Sequence, residues 1–238
     1  MHQSSASSGD LYFDLFLQSE GVGTSAYNDL GWVTGQTVYR ITRFSVVATN
    51  SGNLIDYLTG NNQATYLSMS LSGGSAMLVT NSFTPPSGSD ADAVFGGKVE
   101  CGSYLSFTQG TMFINFSGLE TNKRYSFAMY GSRGDATYSQ RWATVVISGV
   151  TSFTNTSSEG AVISTTSSIR TNDTTLIIMD NQDGKLFRYD NIDVGGDGAF
   201  SLSVVPGGQG PSNACVNAFT LGSYTRNADA DSDGIPDS

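Results

Sequence analysis

Histidine is nearly missing from this chain: the single one, His2, lies in the leader MHQSSASSG. That excludes Ser-His-Asp and Cys-His nucleophile machinery and any zinc site built on histidine. Cysteine is scarce as well. Cys101 and Cys215 can form one disulfide across a very long loop or stay as two buried thiols, and their spacing leaves both open. No Gly-x-Ser-x-Gly elbow occurs. Charged residues are only 13% of the chain, with 11 basic against 21 acidic and a net charge of −10. No Lys/Arg cluster exists to neutralise a row of phosphates, so nucleic acid is not an expected partner. No apolar run approaches the ~20 residues that span a bilayer, so no membrane span is expected. The leader has neither an apolar core nor a basic start. It is not a signal peptide and reads as a flexible segment, residues 1–9.

What is abundant is Ser, Thr, Asn and Gly, the polar surface of a β-rich extracellular protein rather than of a solvated helical one. Secretion or display at the cell surface is expected from that composition. Period-2 alternation recurs along the chain and helical periodicity is nearly absent. In YLSMSLSG, Leu67, Met69 and Leu71 share one face and Ser68, Ser70 and Ser72 the other. LYFDLFL, TMFINFSG, RYSFAMYG, WATVVISG and AFSLSVV behave alike, bounded by Gly, Asn, Asp or Pro turns. Roughly ten short strands with polar turns predict an all-β fold, an antiparallel β-sandwich or jelly roll, over residues 10–226. The Pro/Gly/Ser-rich stretch 81–98 reads as a crossover or surface loop.

Residues 227–238 change character, and aspartates alternate there. Asp229, Asp231, Asp233, Gly234 and Asp237 fit D-x-D-x-D-G-x-x-D, the spacing by which a tight loop gives several oxygen ligands to calcium. This stretch, DGIPD included, resembles a thrombospondin type-3 repeat. The resemblance implies a calcium-binding linker between domains of a longer secreted protein, with neighbouring domains as partners. The match covers about the last ten residues and stops before a position-12 ligand; the competing reading is a solvated acidic tail that binds calcium weakly or not at all. A second acidic stretch, MDNQDGKLFRYDNIDVGGDG, offers Asp180 and Asp183 as weaker calcium candidates. The competing reading of DNQDG is a hairpin turn, with Asp and Asn bonding their own backbone and Gly at positive φ.

The alternating strand at Phe200, Leu202 and Val204, a Gly/Pro loop, and then Asn217, Ala218, Phe219 and Leu221 resemble the ending of galactose-binding-like, malectin-type sandwiches. The match spans about a third of the chain and concerns core positions. The chain as a whole also resembles the non-catalytic sandwiches attached to bacterial polysaccharide-degrading enzymes. That resemblance implies a carbohydrate-binding module of a multidomain bacterial protein, with a polysaccharide or glycan as ligand.

Sugars are held by aromatic rings under their C–H faces and by planar polar groups on their hydroxyls. The stretch YGSRGDATYSQRW supplies Tyr130, Arg133, Asp135, Tyr138, Arg141 and Trp142 around one strand-to-strand connection. Trp32, in NDLGWVTGQ, is a second platform candidate. Arg188, Tyr189 and Asn191 are further candidates on an exposed sheet. The competing reading for all of them is structural. Arg133-Gly134-Asp135 spells an adhesion tripeptide, which needs an extended tip to act. Catalysis narrows to carboxylates such as Glu100 and Glu159, or to Tyr138 with Arg133 or Arg141 as a lyase pair. The expected function is non-catalytic binding. The alternatives are a spacer without soluble ligand and a polysaccharide lyase or glycosidase.

Overall fold

In the computed structural model, residues 11–14, 28–29, 50–55, 62–80, 83–96, 101–135, 141–158, 174–178, 181–208 and 213–225 are described. They are mostly strand. In chain order the strands are β1 (Leu11–Asp14), β2 (Asn28–Asp29), β3 (Asn50–Ile55), β4 (Asn62–Ser72), β5 (Ser75–Thr80), β6 (Ser103–Thr108), β7 (Thr111–Ser117) and β8 (Lys123–Tyr130). Then follow β9 (Arg141–Ser148), β10 (Ser152–Asn155), β11 (Thr174–Ile178), β12 (Phe187–Asp193), β13 (Phe200–Gly208), β14 (Asn213–Val216) and β15 (Ala218–Thr225). One short helix, α1 (Asp90–Phe95), lies between β5 and β6.

The front sheet runs β11-β9-β13-β7-β4-β3, the back sheet β10-β12-β8-β15-β1-β2, and a small sheet β14-β6-β5. Every pairing is antiparallel except β1 with β2. From β7 to β13 the chain alternates between front and back at every strand. The expected all-β class holds, in a sandwich-like arrangement.

Alternation decides which side chains meet. In β7, Met112, Ile114 and Phe116 are buried while Thr111, Phe113 and Asn115 are half-buried; in β9, Ala143, Val145 and Ile147 are the inward set. One core joins the inner faces of the two large sheets. Phe116 of the front sheet meets Phe127 and Phe219 of the back sheet edge-on, at 5.9 and 6.4 Å between centroids, and Phe200 at 4.9 Å. Full burial of each such ring stabilises by about 1.5–3 kcal/mol. Phe200, Leu202, Val204, Asn217, Ala218, Phe219 and Leu221 are all buried.

The small sheet continues the front one around a corner. The β4–β7 pair becomes the β5–β6 pair where Gly73, Gly74, Gln109 and Gly110 all take positive φ. A side chain at Gly74 would collide with the Gln109 carbonyl. This is how strands leave one layer for another.

Residues 81–98 hold more than a loop. Ser89 caps α1 by accepting from the Asp92 amide at 3.2 Å, and the Asp92 carboxylate accepts from the Gly88 amide at 2.8 Å. This is a reciprocal arrangement of the capping-box kind. Ala91 and Phe95, four residues apart, are the buried face. They cover the outer side of the back sheet with Ala128, Tyr130, Leu186 and Ala218.

The DNQDG segment is a turn but not a hairpin. Gly184 has φ +65, and Asn181 Oδ1 accepts from the Lys185 amide at 2.8 Å. A hairpin needs its two strands paired, yet β11 pairs with β9 and β12 with β8. The turn therefore carries the chain from the front sheet to the back.

Candidate functional site

The connection after β8 is built, not loose. Tyr130 is fully buried beneath α1, and its hydroxyl lies 3.5 Å from the Asn181 carbonyl. Burial pushes its phenol well above the usual range. The expectation that Tyr130 offers a ring to a ligand is corrected: α1 covers that ring. Asn217, itself buried, holds the next residues. Its amide donates to the Tyr130 carbonyl at 2.9 Å. Its Oδ1 accepts from the Ser132 amide and its Nδ2 donates to the Cys101 carbonyl, both at 2.8 Å. Asn181 Nδ2 adds a bond to the Gly131 carbonyl at 3.2 Å. Gly131 packs so closely on the Cys215 carbonyl that a Cβ has no room.

The adhesion tripeptide is not an extended tip. Gly134 turns at φ +63 against the Phe83 ring. The Arg133 guanidinium lies over the Tyr104 ring, 5.8 Å from its centroid. Asp135 is exposed and Arg141 half-buried. Both guanidiniums act on Cys215. Burial pushes that thiol up to about 12, partly offset by Arg133, a hydrogen bond with Ser106, and Arg141. It is protonated at neutral pH and is a poor nucleophile. Cys101 and Cys215 are buried thiols, not a disulfide.

Of the remaining expected positions, Trp32, Tyr138, Asp180, Asp229, Asp231, Asp233 and Asp237 lie outside the described residues, as do Glu100 and Glu159. Asp183 is exposed in its turn. Among the described residues no three His, Cys, Asp or Glu side chains come together as a metal-ligand group. Tyr189, expected on an exposed sheet, is instead in the core, 4.5 Å from Phe187. Asn191 sits exposed with φ +54 where the β12 register shifts, and Arg188 Nε donates to Asp190 at 2.9 Å.

Trp142 is differently placed. It shares its strand phase with Thr144, Val146 and Ser148, the outward set of β9. It pairs with Gly207 of β13, and its indole lies against that glycine, where any Cβ would meet Nε1. Glycine in a strand marks this kind of close approach. Trp142 is therefore a half-buried ring on the outer face of the front sheet.

That face has a distinct character. Register puts Val205 beside Thr144, and Ser203 between Val146 and Phe113. It puts Ser201 between Ser148 and Asn115, with Ser68 beyond. Tyr66 stands on β4 in phase with Ser68, Ser70 and Ser72. Among the described residues, no charged side chain stands in the outward phase of β9, β13, β7 and β4. Tyr66 and Val205 are 40% and 38% exposed, the large apolar side chains most open to solvent among those described.

Of these residues Trp142 stands out in the sequence, and Phe113, Tyr66, Val205 and Gly207 do not. The signal was available: each breaks a strand's alternation by standing as a large or absent side chain in the serine phase. Comparison with protein families, with curated proteins and with solved structures finds no match to this chain.

Proposed function

We propose that the protein is a non-catalytic glycan-binding module whose ligand lies on the outer face of the front sheet. The observation that carries this reading is a face, uncharged among the described residues, in which Trp142 lies across Gly207 among Ser, Thr and Asn side chains. An aromatic ring supplies the apolar surface for a sugar's C–H face, and hydroxyl and amide groups suit its hydroxyls. The buried, protonated Cys215 and the near-absence of histidine fit binding without nucleophilic catalysis. The spatial orders β1-β15-β8-β12 and β7-β13-β9-β11, with the chain passing between the two layers, support a jelly roll. Secretion, a multidomain parent and calcium held by Asp229, Asp231, Asp233 and Asp237 complete the proposal.

The test is a panel of immobilised polysaccharides probed with wild type and Trp142→Ala, with and without chelator. Binding that weakens in the variant supports the reading. No binding to any glycan leaves the spacer alternative. Release of reducing ends or unsaturated products establishes an enzyme instead.

A further inference from the structure

The outer face of the front sheet has an internal order that points beyond glycan binding to a ligand class and a path. Trp142 is on β9. Val205 is one strand over on β13, two residues along, since Gly207 pairs with Trp142 and Val205 with Thr144. Phe113 is one strand further on β7, again two residues along, opposite Ser203. Tyr66 is on the next strand, β4, four residues beyond the row that joins Ser70 to Phe113. Each step moves in the same two directions. With about 3.3 Å per residue and about 4.8 Å between strands, Phe113 lies about 16 Å and Tyr66 about 30 Å from Trp142. Phe113 falls within a few Å of the straight line joining the other two, on the same spacings. Val205 lies on that line midway between Trp142 and Phe113. The two most exposed large apolar side chains described, Tyr66 and Val205, are thus both on one diagonal.

Small polar residues flank the diagonal. Ser203 and Thr144 stand beside Val205 and Phe113, and Asn115 and Ser68 stand between Phe113 and Tyr66. The Asn115 amide donates to the Ser68 carbonyl at 3.3 Å, which holds that side chain flat on the sheet. No charge interrupts the path among the described residues, in a chain whose net charge is −10. An anionic polymer would meet no guanidinium or ammonium among the described residues in the outward phase of these strands, and the net charge of the chain would repel it.

Resting on the binding reading above, we infer that the ligand is an uncharged polysaccharide chain, laid diagonally across β9, β13, β7 and β4 over Trp142, Val205, Phe113 and Tyr66. A chain long enough to reach all three rings gains from each, as linked contacts do. A short oligosaccharide reaches one ring and binds weakly.

The experiment uses the full chain with two soluble polymers, a neutral β-glucan and polygalacturonate, and with short and long neutral oligosaccharides. Binding is followed by affinity electrophoresis and calorimetry at low and high salt. The expected result is salt-independent binding to the neutral polymer that strengthens with oligosaccharide length. Trp142→Ala, Phe113→Ala and Tyr66→Ala should each weaken it about tenfold, the order expected of one aromatic contact. Val205→Lys, which leaves the core phase untouched, should weaken neutral binding as well. Circular dichroism of every variant separates loss of fold from loss of contact. Salt-sensitive binding to polygalacturonate alone overturns this inference and leaves glycan binding standing. Neutral binding unmoved by the four variants, or independent of chain length, overturns the path. Binding to neither polymer, nor to any glycan of the wider panel, overturns both readings.

Discussion

The two large sheets share one core but turn opposite surfaces outward. The back sheet's outer side is charged and covered. Arg124 pairs with Asp193, Arg188 with Asp190, and α1 lies over Tyr130, Ala128 and Ala218. Two buried asparagines, Asn181 and Asn217, tie the chain together there. The front sheet's outer side has neither charge nor cover among the described residues. A protein uses polar networks where chain segments must be held in one arrangement. It leaves apolar surface open where something else is to sit. On the proposed reading, the back sheet serves stability and the front sheet serves binding.

Substitutions can break that division, beginning with the largest effect. Asn217→Leu removes the partners of the Ser132 amide and the Cys101 carbonyl, both buried with it. We expect a loss of about 3 kcal/mol in chemical denaturation, since each orphaned group costs about 1–3 kcal/mol. Glycan affinity of the molecules that stay folded should be unchanged. Val205→Glu should do the reverse. An exposed change of this kind moves stability within about 0.5 kcal/mol, while a charge on the path should abolish measurable binding to the neutral polymer. Gly207→Ala is intermediate. The new Cβ displaces the Trp142 indole without removing it. Affinity should fall several-fold and tryptophan fluorescence should shift. Arg188→Ala should do least. Its pair with Asp190 is partly open to solvent, and pairs near the surface are worth about 0–1 kcal/mol.

Alkali should divide the two sides as well. Burial raises the Cys215 thiol to about 12 and pushes the Tyr130 phenol higher still. In the unfolded chain both lose protons earlier. The unfolded state therefore binds fewer protons than the native one above pH ~9, and stability falls as pH rises toward ~12. The stability lost is present in full below the unfolded thiol value. The outer phase of the front sheet holds no carboxylate, amine, thiol or imidazole among the described residues. Glycan affinity should therefore stay flat from pH ~5 to pH ~9 while denaturation midpoints drop at the alkaline end.

The fold is legible wherever one strand's own alternation decides burial. Leu67 and Met69 point inward and Ser68 and Ser70 outward, as their spacing implies. It is less legible where a distant segment changes the outcome. Tyr130 stands in the outward phase of β8 with Ser126, and segments distant in sequence, α1 some forty residues earlier and Leu186 among them, bury it. That helix is readable in principle, because Ser89 and Asp92 have capping spacing and Ala91 and Phe95 lie four apart. A stretch rich in Pro, Gly and Ser masks so short an element. The same logic governs the site. Trp142 is conspicuous in sequence, whereas Val205, Phe113 and Tyr66 are ordinary residues of separate strands. Only inter-strand register aligns them, and one strand's pattern carries no register with its neighbours.

The most direct measurement is calorimetric titration of a soluble neutral β-glucan into wild type, Val205→Glu and Asn217→Leu at low and high salt. Wild type is expected to bind independently of salt, folded Asn217→Leu to keep binding, and Val205→Glu to lose binding at unchanged stability. A Val205→Glu protein that binds the neutral polymer as well as wild type would contradict the proposed binding face.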